Sequence, residues 1–223
     1  DIRVVTGTST VQRVSGDDRF IAPRASRDGA LITQSWGQAL VNEGKSYQVQ
    51  LGTEDAPSQS TTSIDDILVW AVVDVPTGTA IIPYSAQAVI ATWGSSTLVN
   101  FLIEIDNAKT RYSSAGATFT PLNHRTDIST ASSVTAKINT GTETGVVTTA
   151  KTTGGSLEVF RESIEVNVGD EADYNPPILW EPDSAPLVVG PASVVLHLGA
   201  ASSDVTAYGT LKWYEFVTAT DFS

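Results

Sequence analysis

Apolar residues along this chain recur mostly at every second position, the period of a strand with one face buried, and seldom at the three-to-four spacing of a helix. Tyr47, Val49 and Leu51 alternate with Gln48 and Gln50. Val99, Phe101, Ile103 and Ile105 alternate with Asn100, Glu104 and Asp106, which predicts one inward face and one polar face. Val194, Leu196 and Leu198 repeat the pattern, and residues 206–217 read as one long final strand with a crowded aromatic end. The run Ile67 to Val75 is apolar on both faces, as expected of a central strand covered on two sides.

Shorter strands are predicted at 80–82, 89–91, 134–138 and 146–149. A further strand at 159–168 has Ile164, Val166 and Val168 inward. Turn chemistry separates these pieces: Pro76-Thr77-Gly78, a hairpin within 107–116, a turn at 169–173 and a proline-rich loop over 175–191. Residues 53–63 read as a polar loop. The spacing of Trp36, Leu40 and Val41 allows one short helix, although Gly37 and Gly44 weaken it. Residues 1–28 carry no helical stripe and read as an extended arm. The expected architecture is therefore all-β: an antiparallel β-sandwich of jelly-roll type over 29–223, preceded by the arm.

Composition narrows the function. Lys plus Arg is 13 and Asp plus Glu is 25, so 13 − 25 = −12, a field that repels phosphate backbones and argues against nucleic acid as a partner. Five arginines lie early, at Arg3, Arg13, Arg19, Arg24 and Arg27, which makes the arm less acidic than the rest and a candidate contact with an acidic protein surface. Cysteine is absent, which excludes a disulfide framework, thiolate metal sites and a cysteine nucleophile. No signal-peptide pattern is visible, and the longest strongly apolar run is far short of the ~20 residues that span a bilayer, so no membrane partner is expected.

Catalytic signatures are weak. His124 sits in a polar corner and His197 on the strand face opposite Leu196 and Leu198; neither has ligand or triad spacing. The carboxylate pairs, such as Asp65-Asp66, read as turn residues rather than the facing acids of a glycosidase. Asp170, Glu171 and Asp173 form only a loose approximation to a calcium loop. No enzyme, cofactor or metal is expected. Among the aromatics, Trp70 and Trp213 are predicted core, whereas Trp93 and Trp180 lie in apparent loops and are the candidate contact residues.

The stretch Phe119 to Phe216 resembles a family of virion proteins of tailed bacteriophages. The resemblance is carried by Phe119-Thr120-Pro121-Leu122-Asn123-His124-Arg125, a Gly154-Gly155 turn and the closing Gly209-Thr210-Leu211-Lys212-Trp213-Tyr214-Glu215-Phe216. Asp28-Gly29-Ala30-Leu31 and Gly44-Lys45-Ser46-Tyr47 are similar to its opening strands. His124 and Thr126 depart from the corner motif, which in the family more often reads Asn-x-Asn-Arg-Asn-Ser. The resemblance implies a β-rich capsid decoration or cement protein on the virion surface, bound to the major capsid protein and to itself as a homotrimer, with no catalytic residues. The alternative expectation is a tail fibre or a receptor- or glycan-binding β module of the virion.

Overall fold

The computed structural model describes residues 35–95, 98–127, 130–140, 145–165, 177–201 and 205–221. The expected arm, with Arg3, Arg13, Arg19, Arg24 and Arg27, and the acidic turn at 169–173 lie outside the described residues. Helix α1 (Trp36–Asn42) forms where the Trp36-Leu40-Val41 spacing predicts it, its N-terminus capped by the Ser35 hydroxyl, which accepts from the Gln38 amide at 3.2 Å.

Strand β1 (Ser46–Leu51) follows, then the two-residue β2 (Ser58–Gln59) and β3 (Leu68–Val69), and then β4 (Ala71–Val75). Strand β5 (Thr79–Thr92) runs unbroken through the two short strands expected at 80–82 and 89–91. Pro83 hides this continuity in the sequence, because proline has no N–H to give to a ladder. A register shift at Lys212/Trp213 of the partner strand accommodates it.

Strand β6 (Leu98–Asp106) precedes an insertion, 107–155, that supplies five short strands. These are β7 (Tyr112–Ser114), β8 (Ala117–Phe119), β9 (Leu122–Asn123), β10 (Thr135–Ile138) and β11 (Val146–Thr148). The hairpin expected at 107–116 does not form. β7 and β8 flank Ala115 and Gly116, at φ 65° and 71°, but pair with different strands. The chain then makes β12 (Ser156–Glu165), β13 (Ile178–Trp180), β14 (Val188–Val189), β15 (Ala192–Ala200), β16 (Thr206–Val217) and the short α2 (Thr218–Asp221). β13 and β14 lie within the span expected to be a proline-rich loop.

Among the described residues every pairing between these strands is antiparallel, and an isolated bridge of Thr61 with Gly199 is parallel. One sheet has the order β13-β5-β16-β1-β9, with β14 also on β5 and β2 on β16; the second has the order β12-β6-β15-β4-β10-β8. Their inner faces share one core. From the first sheet come Val49, Leu51, Ile81, Leu211 and Trp213; from the second come Val73, Phe101, Ile103, Ile138, Leu196 and Leu198. Trp70 and Trp213 are fully buried there, as expected.

A third, three-stranded sheet, β3-β11-β7, covers the other side of the second sheet, where Val69, Val72, Val146 and Val195 form a separate small core. This layer corrects the expectation of a polar outward face on β6. Glu104 and Asp106 are buried beneath it, and β4 and β15 are buried at every residue. Among the described residues no helix is long and apolar enough to cross a membrane.

Candidate functional site

Two polar regions concentrate chemistry, and they differ in access. The first lies under the three-stranded sheet. Asp74, the one charge of the apolar β4, accepts from the Arg111 and Tyr112 backbone amides at 3.1 Å each and from the Ser193 hydroxyl. It thereby fixes the entry to β7. The Arg111 side chain is fully buried and donates from Nε to the Thr149 carbonyl at 3.1 Å and from Nη2 to the Asp66 carbonyl. Its Nη1 lies 3.9 Å from Glu104 Oε1.

His197, on the face opposite Leu196 and Leu198 as expected, lies 3.4 Å from Glu104 through Nε2. Lys151 reaches in from the surface, 3.0 Å from Asp66 and 3.9 Å from Glu104. The cluster converges, but with Asp74, Glu104, Arg111, Ser193 and His197 all buried it offers no surface to a substrate. Its arrangement is that of a clamp between layers, in which Arg111 approaches Glu104 while its Nη1 and both His197 ring nitrogens stay buried without a hydrogen-bond partner.

The second region is the outer face of the first sheet. Strand alternation places Tyr208, Thr210, Lys212 and Tyr214 of β16 on the side opposite the buried Ala207, Leu211 and Trp213. The register sets Gln50 of β1 beside Thr210, Gln87 of β5 on the other side of Thr210, and Leu179 of β13 beside Gln87. Val89 pairs with Tyr208 in the neighbouring row.

One end of this face is internally satisfied. Ser46 Oγ is 2.8 Å from His124 Nδ1, Tyr84 Oη is 3.3 Å from Ser46 Oγ, and His124 Nε2 is 3.1 Å from Gln48 Oε1. The geometry fits a neutral imidazole that donates from Nε2 to Gln48 and accepts from Ser46. Burial, and secondarily the nearby Lys212 ammonium, lower the His124 pKa below its ordinary value. Burial also raises the Tyr84 phenol, against the opposing hydrogen bond from Ser46. Tyr84 stacks on Tyr214 at 4.4 Å, and Trp36 of α1 meets Tyr214 edge-on at 5.1 Å. The Ser46–His124 contact is not an exposed nucleophile and base, because Ser46 is fully buried.

The other end opens into a cleft of about 390 Å³ lined by Gln50, Thr53, Glu54, Gln87, Tyr208 and Thr210, with Gly52, Val89 and Gly209 also contributing. Its wall is the turn after β1, where Thr53 and Ala56 exchange backbone hydrogen bonds at 3.0 and 3.1 Å. Gly52 starts that turn at φ 75°, in the left-handed region that glycine tolerates best. Its floor is the tight approach of β16 to β5, where a Cβ on Gly209 would collide with the Gln87 carbonyl oxygen.

The aromatic candidates fall differently from expectation. Trp180 is not in a loop: it ends β13, is 5% exposed and belongs to the core, because Ile178 and Trp180 share the inward face. It offers no exposed contact surface, which corrects the expectation. Trp93 does lie past the end of β5, but it is half-buried and packs against the same core. The aromatic that faces the cleft is Tyr208, and the alternation of Ala207, Gly209, Leu211 and Trp213 along 206–217 already implies that placement.

Comparison with protein-family models, with curated proteins and with solved structures gives no match for this chain.

Proposed function

We propose that this protein is a bacteriophage virion component of jelly-roll fold, a capsid decoration subunit that attaches to the assembled head by surface complementarity. The observation that carries the reading is the strand order. Setting aside the insertion strands β7 to β11 and the two-residue β2, β3 and β14, eight strands remain. Counted along the chain, they lie in the order 1-8-3-6 in one sheet (β1, β16, β5, β13) and 2-7-4-5 in the other (β4, β15, β6, β12). That is the interleaving produced when a long hairpin of eight strands wraps into two Greek keys, the topology of many viral capsid and lectin domains. Fold alone does not fix function. The resemblance of 119–216 to tailed-phage virion proteins directs the reading to the phage particle.

Exposed Leu179, Leu187 and Val189 on and beside the edge strands β13 and β14 support adhesion to protein. A subunit that binds only the assembled lattice stabilises it by its binding free energy, and a homotrimer would add avidity. The test is co-sedimentation of the purified protein with DNA-filled heads. Saturation at a fixed ratio to the major capsid protein is expected, and failure to bind heads while sedimenting with tails or free in solution would overturn the proposal.

A further inference from the structure

We infer that the cleft on the outer face of the first sheet is a binding site for a neutral saccharide, with Tyr208 as the stacking platform and Gln50 and Gln87 as the hydroxyl-reading groups. The inference goes beyond capsid attachment and does not depend on it.

The argument starts from which polar groups are already committed. At the near end of this face, Ser46, Gln48, Tyr84 and His124 bond to one another. At the far end, the side chains of Gln50, Gln87, Tyr208 and Thr210 have no hydrogen-bond partner among the described residues, although Gln87, Tyr208 and Thr210 are each partly withdrawn from solvent. Each glutamine amide offers two donors and an acceptor, the complement of vicinal hydroxyls. Adjacent strands lie ~4.8 Å apart, so the two glutamines, one strand to either side of Thr210, stand about 10 Å apart across the cleft. A tyrosine ring beside them supplies an apolar face that still tolerates water at its edge.

Other ligand classes fit less well. A peptide adding itself as a strand needs free backbone donors and acceptors. The cleft lies over β1, β16 and β5, whose mutual pairing runs through it at Gln50, Thr210 and Gln87. A phosphate or nucleotide meets the Glu54 carboxylate at the wall, on a chain of net charge −12. An apolar ligand finds only Val89 as aliphatic lining. The turn wall and the Gly209 floor are built by backbone, so the cleft is formed in advance, which limits the ordering cost of binding.

The test uses the full chain, isotope-labelled, with the glutamine side-chain amides followed by NMR. The probes are cellotriose, maltotriose, chitotriose and a rhamnose trisaccharide, with inorganic phosphate as the charged control. At least one sugar is expected to shift the Gln50 and Gln87 side-chain signals saturably, with a dissociation constant on the order of 1 mM. Tyr208→Ala should weaken that binding about tenfold or more, whereas Tyr208→Phe, which keeps the stacking face, should retain it. An unchanged spectrum elsewhere in each variant establishes that the fold is intact; if Tyr208→Ala does not fold, Gln87→Ala serves the same comparison. The inference is overturned if none of the four sugars shifts these amides, if phosphate shifts them in place of sugar, or if Tyr208→Ala binds as the parent does. Head binding is a separate assay, so loss of one reading leaves the other standing.

Discussion

The two sheets of the sandwich treat their outer faces in opposite ways. The second sheet is roofed by β3, β7 and β11, and beneath that roof Asp74 is spent on the Arg111 and Tyr112 amides and Arg111 on carbonyls of residues 66 and 149, while Arg111 Nη1 and both His197 ring nitrogens are sealed from solvent without a hydrogen-bond partner. Among the described residues the first sheet has α1 and the 123–125 corner over one end, and its other end leaves two glutamines, a threonine and a tyrosine uncommitted around a cleft. Burial thus separates polar groups that hold the fold from polar groups available to a partner. Sequence composition alone makes the two sets look alike.

The largest consequence is energetic. Arg111→Met removes the buried cation beside Glu104 and the donors to the Thr149 and Asp66 carbonyls, at a cost of about 3–5 kcal/mol in chemical denaturation. Gln87→Ala on the open face should change stability by no more than about 0.5 kcal/mol. A mild Arg111 variant would show that the roof is not clamped by this network, and a severe Gln87 variant would make the cleft part of the fold.

Next in size, Gly209→Ala drives a methyl into the Gln87 carbonyl and pushes β16 away from β5. About 1–3 kcal/mol of destabilisation is expected, as for overpacking, together with altered Gln87 signals at the cleft. Asp74→Asn exchanges a carboxylate that takes three donors for an amide with one acceptor oxygen. It should cost about 1–3 kcal/mol, with faster hydrogen exchange at the Arg111 and Tyr112 amides. Unaltered exchange there would show that β7 is anchored by other contacts.

This division also explains what could be read in advance. The final strand at 206–217, the buried Trp70 and Trp213 and the alternation that exposes Tyr208 follow from local period-two patterning. The roof does not. Its strands are two or three residues long and pair across wide sequence gaps, as Leu68 with Val147 and Ser114 with Val147, so no window of the chain contains the pattern. Without the roof, Glu104 and Asp106 look like surface residues. Trp180 was misleading for a related reason: Pro177 and Pro182 give its neighbourhood the composition of a loop, while pairing with Ala86 on distant β5 makes it a strand. The uncommitted state of Gln50 and Gln87 depends on β1, β16 and β5 lying side by side, which is tertiary information.

The smallest expected effect lies at the near end of the open face. His124 has a folded pKa lowered, first by burial and then by Lys212, so the native state binds its proton less readily than the unfolded chain does. Stability from this group is complete above the ordinary histidine value of about 6.5 and is lost as pH falls from there through the lower folded value. Protonation also puts a hydrogen on Nδ1, so the ring can no longer accept from Ser46. Denaturation midpoints measured downward from neutral pH should decline, and His124→Gln should flatten the decline attributable to this residue while Asp and Glu titrations at lower pH persist. A slope identical in parent and variant would mean that the imidazole is already solvated as in the unfolded chain. The Ser46–His124–Gln48 contacts would then not separate the satisfied end of this face from the receptive one.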